Sequence, residues 1–198
     1  MSGNTVLFRP QPHGSQCCTA ASLLFIVSHL HTQDCPKSFD YRRLITSAER
    51  MYQRVLPKTS SNDLLSCYDI MTHMPPPVKL EMEEFYGSFQ GIEPPGQSNN
   101  FKSIQHVVSN HMKPNTGAVV TSDTTKHSVA LLRDKQGIYW IMDSLTGTTS
   151  KYPNTVDAIL ATEAKCFFRG RYDITIVKIA EQRQRKAQKR IFTDNKHI

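Results

Sequence analysis

The sequence contains no apolar run that could cross a membrane. The longest, Ala20 to Val27, is broken by Ser22 and falls far short of the roughly 18 to 20 residues a spanning helix needs. The opening MSGNTVLFRPQP has no charged stretch followed by an apolar one, so no secretion signal is expected. There is no CxxC pair. The five cysteines, Cys17, Cys18, Cys35, Cys67 and Cys166, are odd in number and irregularly spaced, which argues against a disulfide framework and a zinc ribbon. Reduced thiols in an intracellular compartment follow, with the cytoplasm as the expected location and the nucleus left open. The histidines and cysteines lack ligand spacing and no glycine-rich phosphate loop occurs, so neither metal nor cofactor is expected.

What remains is the composition of a folded soluble protein. Apolar residues make up 38 % and charged residues 21 % of 198 residues, enough for one domain with its own core. The net charge is +7, and part of it sits at the end: Arg183, Arg185, Lys186, Lys189, Arg190 and Lys196 against Glu181 and Asp194. Such a tail suits an acidic partner, nucleic acid or nuclear import, or is simply solvated. No aromatic residues interleave it as a nucleic-acid platform would require. The chain divides into a domain over 1–180 and a basic tail over 181–198, and a monomer is expected.

Residues 1–16, punctuated by Pro10, Pro12 and Gly14, form an extended lead-in. From Cys17 to His31 the segment CCTAASLLFIVSHLH is apolar on nearly every side, as a central buried helix is. A second helix is expected over 38–55, stopped by Pro57, and a third over 62–71, capped by Ser61 or Asn62. Residues 73–100 are proline-rich and read as an insertion with one short strand or helix near Leu80 to Phe85. A further helix over 101–112 leads into strands at 117–120, 127–133 and 137–142. A helix over 156–164 and the alternating strand YDITIVKI follow. No internal repeat occurs. Helices followed by an antiparallel sheet define an α+β fold.

Three features carry chemistry. Cys17 stands at the head of the buried helix, where the positive end of the helix dipole favours thiolate and free backbone N–H groups can bind an oxyanion. Cys18 is equally placed, and either thiol also suits the core as a small apolar residue. Gln16 and Gln11 supply amides that could donate to the oxyanion. His127 opens the strand HSVALL, and Asp143 ends the next strand, YWIMD, sixteen residues on with the turn nearly central. An antiparallel hairpin brings those two ends together, where a carboxylate would fix the imidazole tautomer and stabilise its cation. Cysteine at a helix head, then histidine and aspartate across a hairpin, is the order of papain-like thiol proteases.

The motifs GSQC at 14–17, FKSIQHVVSNHM at 101–112, HSVALLRDKQGIYWIMDSLTG at 127–147 and the final YDITIVKI resemble Josephin-domain deubiquitinases, a papain-like family. That resemblance implies a helical lobe, with its central helix buried against an antiparallel sheet, and an arm over 38–71 beside a ubiquitin-binding cleft. It implies Cys17 as nucleophile, His127 as base, Asp143 as the third member and Gln11 as the oxyanion donor. Ser128 stands where that family usually carries tryptophan, and CTAASLL departs from its helix motif, so Cys18 stays open as the nucleophile and Gln16 as the oxyanion group. GSQC and its helix also resemble, more weakly, the deubiquitinating domain of herpesvirus tegument proteins. That family places its histidine two residues after the aspartate, a position held here by Leu145, so His127 is the histidine on either resemblance. The function implied is thiol-dependent cleavage of ubiquitin or ubiquitin-like isopeptide bonds. Alternatives of other kinds are a polyprotein-processing protease, an acyltransferase, a catalytically weak ubiquitin-binding module and a nucleic-acid-binding protein.

Overall fold

The computed structural model describes residues 5–59, 64–73, 79–88, 103–165 and 171–180. The caps expected at Ser61 and Asn62, most of the proline-rich insertion, Cys166 and the basic tail lie outside the described residues. In chain order the elements are β1 (Thr5–Leu7), α1 (Cys18–Thr32), α2 (Tyr41–Val55), α3 (Cys67–His73), β2 (Leu80–Ser88), α4 (Ile104–His111), β3 (Thr116–Ser122), β4 (His127–Arg133), β5 (Tyr139–Asp143), β6 (Thr148–Tyr152), α5 (Thr155–Lys165) and β7 (Arg171–Ile179). The strands form one sheet in the order β1-β6-β5-β4-β3-β7-β2, with every neighbouring pair antiparallel.

The α+β class and the buried central helix are as the sequence implies. Alternate residues of each central strand enter different cores. Val119, Ala130, Leu132, Trp140 and Met142 pack with α1, α2 and α3. Ala118, Val120, Val129, Leu131 and Ile141 pack with α4 and α5. Helices thus cover both faces, so β4 and β5 read as continuous apolar runs rather than alternating ones. α1 is buried along most of its length because the sheet holds one side and α2 the other. The approach is close: a Cβ at Gly117 would stand 2.3 Å from Ile26 Cγ2, so β3 carries no side chain where α1 crosses it.

The boundaries shift in places. α3 starts at Cys67, not Asn62, because its cap is Ser66: the Asp69 carboxylate accepts from Ser66 N at 2.9 Å and Ser66 Oγ at 2.8 Å, and Asp69 N donates back to Ser66 Oγ at 3.1 Å. The short element expected near 80–85 is a nine-residue strand, paired along its length with β7. Helices do not all precede the sheet either, since β1 comes before them and β2 lies among them.

Candidate active site

The hairpin places two of the expected residues together. β4 and β5 pair from Ala130↔Met142 to Arg133↔Tyr139. Continuing that register sets Asp143 opposite Val129, on the same side of the sheet as His127 and one step along the strand. His127 Nε2 is 3.0 Å from Asp143 Oδ1, and both side chains are buried. Lys126, in the turn just before, adopts φ 52°, a left-handed conformation uncommon outside glycine.

The chain leaving β5 wraps round the same carboxylate. Asp143 Oδ1 accepts from Leu145 N at 3.0 Å and Thr146 N at 3.3 Å, and Oδ2 accepts from Thr146 Oγ1 at 2.8 Å. From the end of α5, Lys165 Nζ donates to Oδ2 at 3.3 Å. Burial alone would raise this carboxyl, but the hydrogen bond and charge of His127, with Thr146 and Lys165, hold it well below the usual carboxylate range. His127 moves the opposite way. Burial disfavours its cation, but hydrogen bonds to Asp143 and Cys18, with their charges, raise it to about 9.

The thiol that acts electrostatically on His127 is Cys18. The first turn of α1 is rotated so that Thr19 Oγ1 meets Ser128 Oγ at 2.8 Å and Ser22 Oγ donates to the Ser128 carbonyl at 3.5 Å. Position 18 shares a face with Ser22, one turn on, and so looks toward the start of β4. Burial works to raise the Cys18 thiol, but the His127 hydrogen bond and positive charge outweigh it and lower the group below its ordinary value. With Nε2 taken by Asp143, Nδ1 is the ring nitrogen left for a thiol.

Cys17 precedes the helix and packs in the core on the helical side. Its thiol donates to Gln11 Oε1 at 3.8 Å and is fully buried. Burial, with Glu49 adding to it against a hydrogen bond from Ser15, pushes it up to about 12, which keeps it protonated at neutral pH. Of the two adjacent thiols it is thus Cys18 that is coupled to His127, since one residue along a helix is a rotation of about 100°.

Gln11 is tied into the lead-in, with one N–H of its amide engaged. Its Nε2 donates to the Ser15 carbonyl at 2.7 Å, its Oε1 accepts from Ser144 Oγ at 2.7 Å, and its backbone N donates to the Ser144 carbonyl at 2.8 Å. It braces the lead-in against the exit of β5. Gln16 lies closer to Cys18, whose thiol is 4.0 Å from the Gln16 carbonyl, and the buried Oε1 of Gln16 has no protein partner. Thr146, Ser128 and Lys165 were not anticipated as parts of the site. Asp-Ser-Leu-Thr is a turn in which a carboxylate caps backbone N–H groups two and three residues on, which would have found Thr146. Nothing in the sequence points to Lys165. Among the described residues no group of histidine, cysteine and carboxylate side chains could hold a metal ion, and no helix is long and apolar enough to cross a membrane.

No protein-family model matches the sequence, and no curated protein matches it significantly. The structure is similar to that of the ubiquitin-specific protease encoded by murine cytomegalovirus tegument protein M48, solved in complex with a ubiquitin-based suicide substrate. The TM-score is 0.64 at 14 % identity, covering 92 % of this chain and 89 % of that one. At that identity the likeness concerns the course of the backbone, and it extends through both the helical lobe and the sheet. The chain has the fold of a papain-like viral deubiquitinase.

Proposed function

We propose that the protein is a thiol hydrolase that cleaves isopeptide or peptide bonds after the C-terminus of ubiquitin or a ubiquitin-like protein, with Cys18 as nucleophile, His127 as acid and base, and Asp143 orienting the histidine. The observation that carries this reading is the His127 ring, 3.0 Å from Asp143 on one side and close enough to the Cys18 thiol at the helix head for each to shift the other. The likeness to a ubiquitin-specific protease supports the substrate class.

The chemistry follows from the charges. Proton transfer from Cys18 to His127 gives a thiolate–imidazolium pair, favoured because both groups shift toward their charged forms. The thiolate attacks the scissile carbonyl carbon, forming the C–S bond, and the carbonyl oxygen becomes an oxyanion. Backbone N–H groups at the head of α1, with the Gln16 amide, are the donors that fit. His127 gives its proton to the leaving amine as the C–N bond breaks, leaving a thioester. Water, losing a proton to His127, attacks the thioester and frees the carboxylate and the thiol. Asp143 stays ionised throughout, since its surroundings hold it there.

The test is a mass shift with ubiquitin carrying a C-terminal thiol-reactive electrophile, using wild type, Cys17→Ala and Cys18→Ala. An adduct lost only in Cys18→Ala supports the whole assignment. Loss only in Cys17→Ala restores the other thiol as nucleophile and contradicts the geometry. A folded wild-type protein that forms no adduct removes ubiquitin as substrate, and peptide substrates would then test the polyprotein-processing alternative.

A further inference from the structure

The site contains more charge than a triad requires. From α1 it is faced by Cys18, from β4 by His127, from β5 by Asp143 and from α5 by Lys165. On the far side of His127, Lys126 faces Asp173, itself grouped with Asp123 and Glu84. Glu49 faces Cys17. Thiolate, imidazolium and carboxylate together carry one net negative charge. Burying that charge is costly, and the simplest relief is to protonate the thiolate, which would disarm the nucleophile.

Lys165 removes this imbalance. Its ammonium reaches Asp143 Oδ2 at 3.3 Å and is steadied by Thr148 Oγ1 at 2.9 Å, with the lysine side chain 19 % exposed against 2 % for the aspartate. It touches neither the thiol nor the imidazole. We propose that Lys165 is a positioning residue whose charge neutralises the buried thiolate–imidazolium–carboxylate group and so sets the pH range over which Cys18 stays ionised. This rests on the thiol-hydrolase reading above. A positive charge lowers the proton affinity of every group near it, so losing it shifts both neighbouring titrations upward. At the spacing of a second ionic neighbour, with partial solvent screening, the shift is on the order of half a pH unit to one unit.

The experiment compares the full chain with Lys165→Gln, which keeps hydrogen-bond donors but loses the charge, and with Lys165→Arg, which keeps the charge. The rate of Cys18 alkylation by iodoacetamide, followed by peptide mass, gives the thiol ionisation. Ring resonances of labelled histidine give the His127 step. Upward movement of both steps in Lys165→Gln, with Lys165→Arg close to wild type, is the expected result. Steps that stay in place in Lys165→Gln overturn the proposal, as does equal behaviour of Gln and Arg, which would mark the lysine as a strut. If Lys165→Gln does not fold, Lys165→Met takes its place: it too removes the charge and must move the same two steps, and unchanged steps overturn the proposal. The ubiquitin-electrophile adduct is read separately. Titrations that shift as expected without an adduct would leave the role of Lys165 intact and remove the substrate class.

Discussion

A buried thiolate–imidazolium pair leaves a thermodynamic signature that needs no substrate. His127 has its pKa raised from 6.5 to about 9 on folding. A raised cationic group gives stability that is fully present below pH 6.5 and lost as pH rises through about 9. Taken alone, that shift is worth about 3 kcal/mol as an upper bound. Cys18 is lowered from 9.0, so it gives stability present above pH 9 and lost as pH falls through its folded value. Above the folded value of Cys18 and below about pH 8.5 the two slopes have opposite signs. In that range the unfolded chain holds its proton on sulfur and the folded chain holds it on the imidazole. The number of bound protons is nearly equal, and stability should be almost flat.

Cys18→Ser removes one side of that balance. Serine does not titrate, while Asp143 still raises His127, though less than before because the Cys18 hydrogen bond is gone. The variant should therefore lose about 1–2 kcal/mol between pH 6.5 and 8.5, with a slope of at most about 1.4 kcal/mol per pH unit. Cys17 and Cys67, both pushed up to about 12, also lose stability above pH 9, but they do so equally in the two proteins. Guanidinium unfolding at half-unit pH steps measures the difference. Parallel curves for wild type and Cys18→Ser would refute the ion pair.

Asp143→Asn should cut the rate of ubiquitin-adduct formation by at least ~10²-fold while the protein stays folded, because an amide can present the wrong partner to Nε2; single-turnover labelling measures it. Gly117→Ala should cost about 1–3 kcal/mol, since its Cβ would press on Ile26 at 2.3 Å, and Ile26→Ala should cost less in that background than in wild type, by denaturant unfolding. Trp140→Phe should cost about 1–3 kcal/mol by calorimetry, because Trp140 Nε1 donates at 2.9 Å to Asp134, a carboxylate left only 6 % exposed.

The parts of the fold legible in the sequence are those whose burial is one-sided or complete. α1 reads as a core helix from its unbroken apolar faces, and α2 from spacing that buries Tyr41, Leu44, Ile45 and Ala48 while its arginines stay outside. The His127–Asp143 contact followed from hairpin arithmetic alone. β6 was missed because TTSKY lies near the sheet edge and buries only Thr149. β1 was missed because three residues give no period to detect. Lys165 was invisible because a lysine at the end of a helix is ordinary by every local rule, and only tertiary packing brings it to Asp143. The tegument resemblance, the weaker of the two in sequence, is the one that the likeness to M48 bears on.

The choice between Cys17 and Cys18 shows which signal was overlooked. A helix head favours thiolate at either position, so the dipole cannot choose. Rotation chooses, and a polar residue inside an otherwise apolar helix reports rotation. Ser22 is buried, and its hydroxyl is satisfied by the Ser128 carbonyl at 3.5 Å. Thr19 is buried too, bonded to Ser128 Oγ, which in turn meets Thr121 Oγ1 at 2.8 Å. These hydroxyls mark the face of α1 that meets the first residues of β4, where His127 stands. Cys18 lies one turn before Ser22 on that face, whereas Cys17 shares its side with Ala20 and Ala21, inside the helical lobe. Buried hydroxyls must find partners, so their positions in a core helix record what that helix faces before any coordinates exist. By that rule Cys18 is the thiol on the side of the histidine strand, and Ser128, an oddity in sequence, becomes the residue that holds α1 in register against that strand.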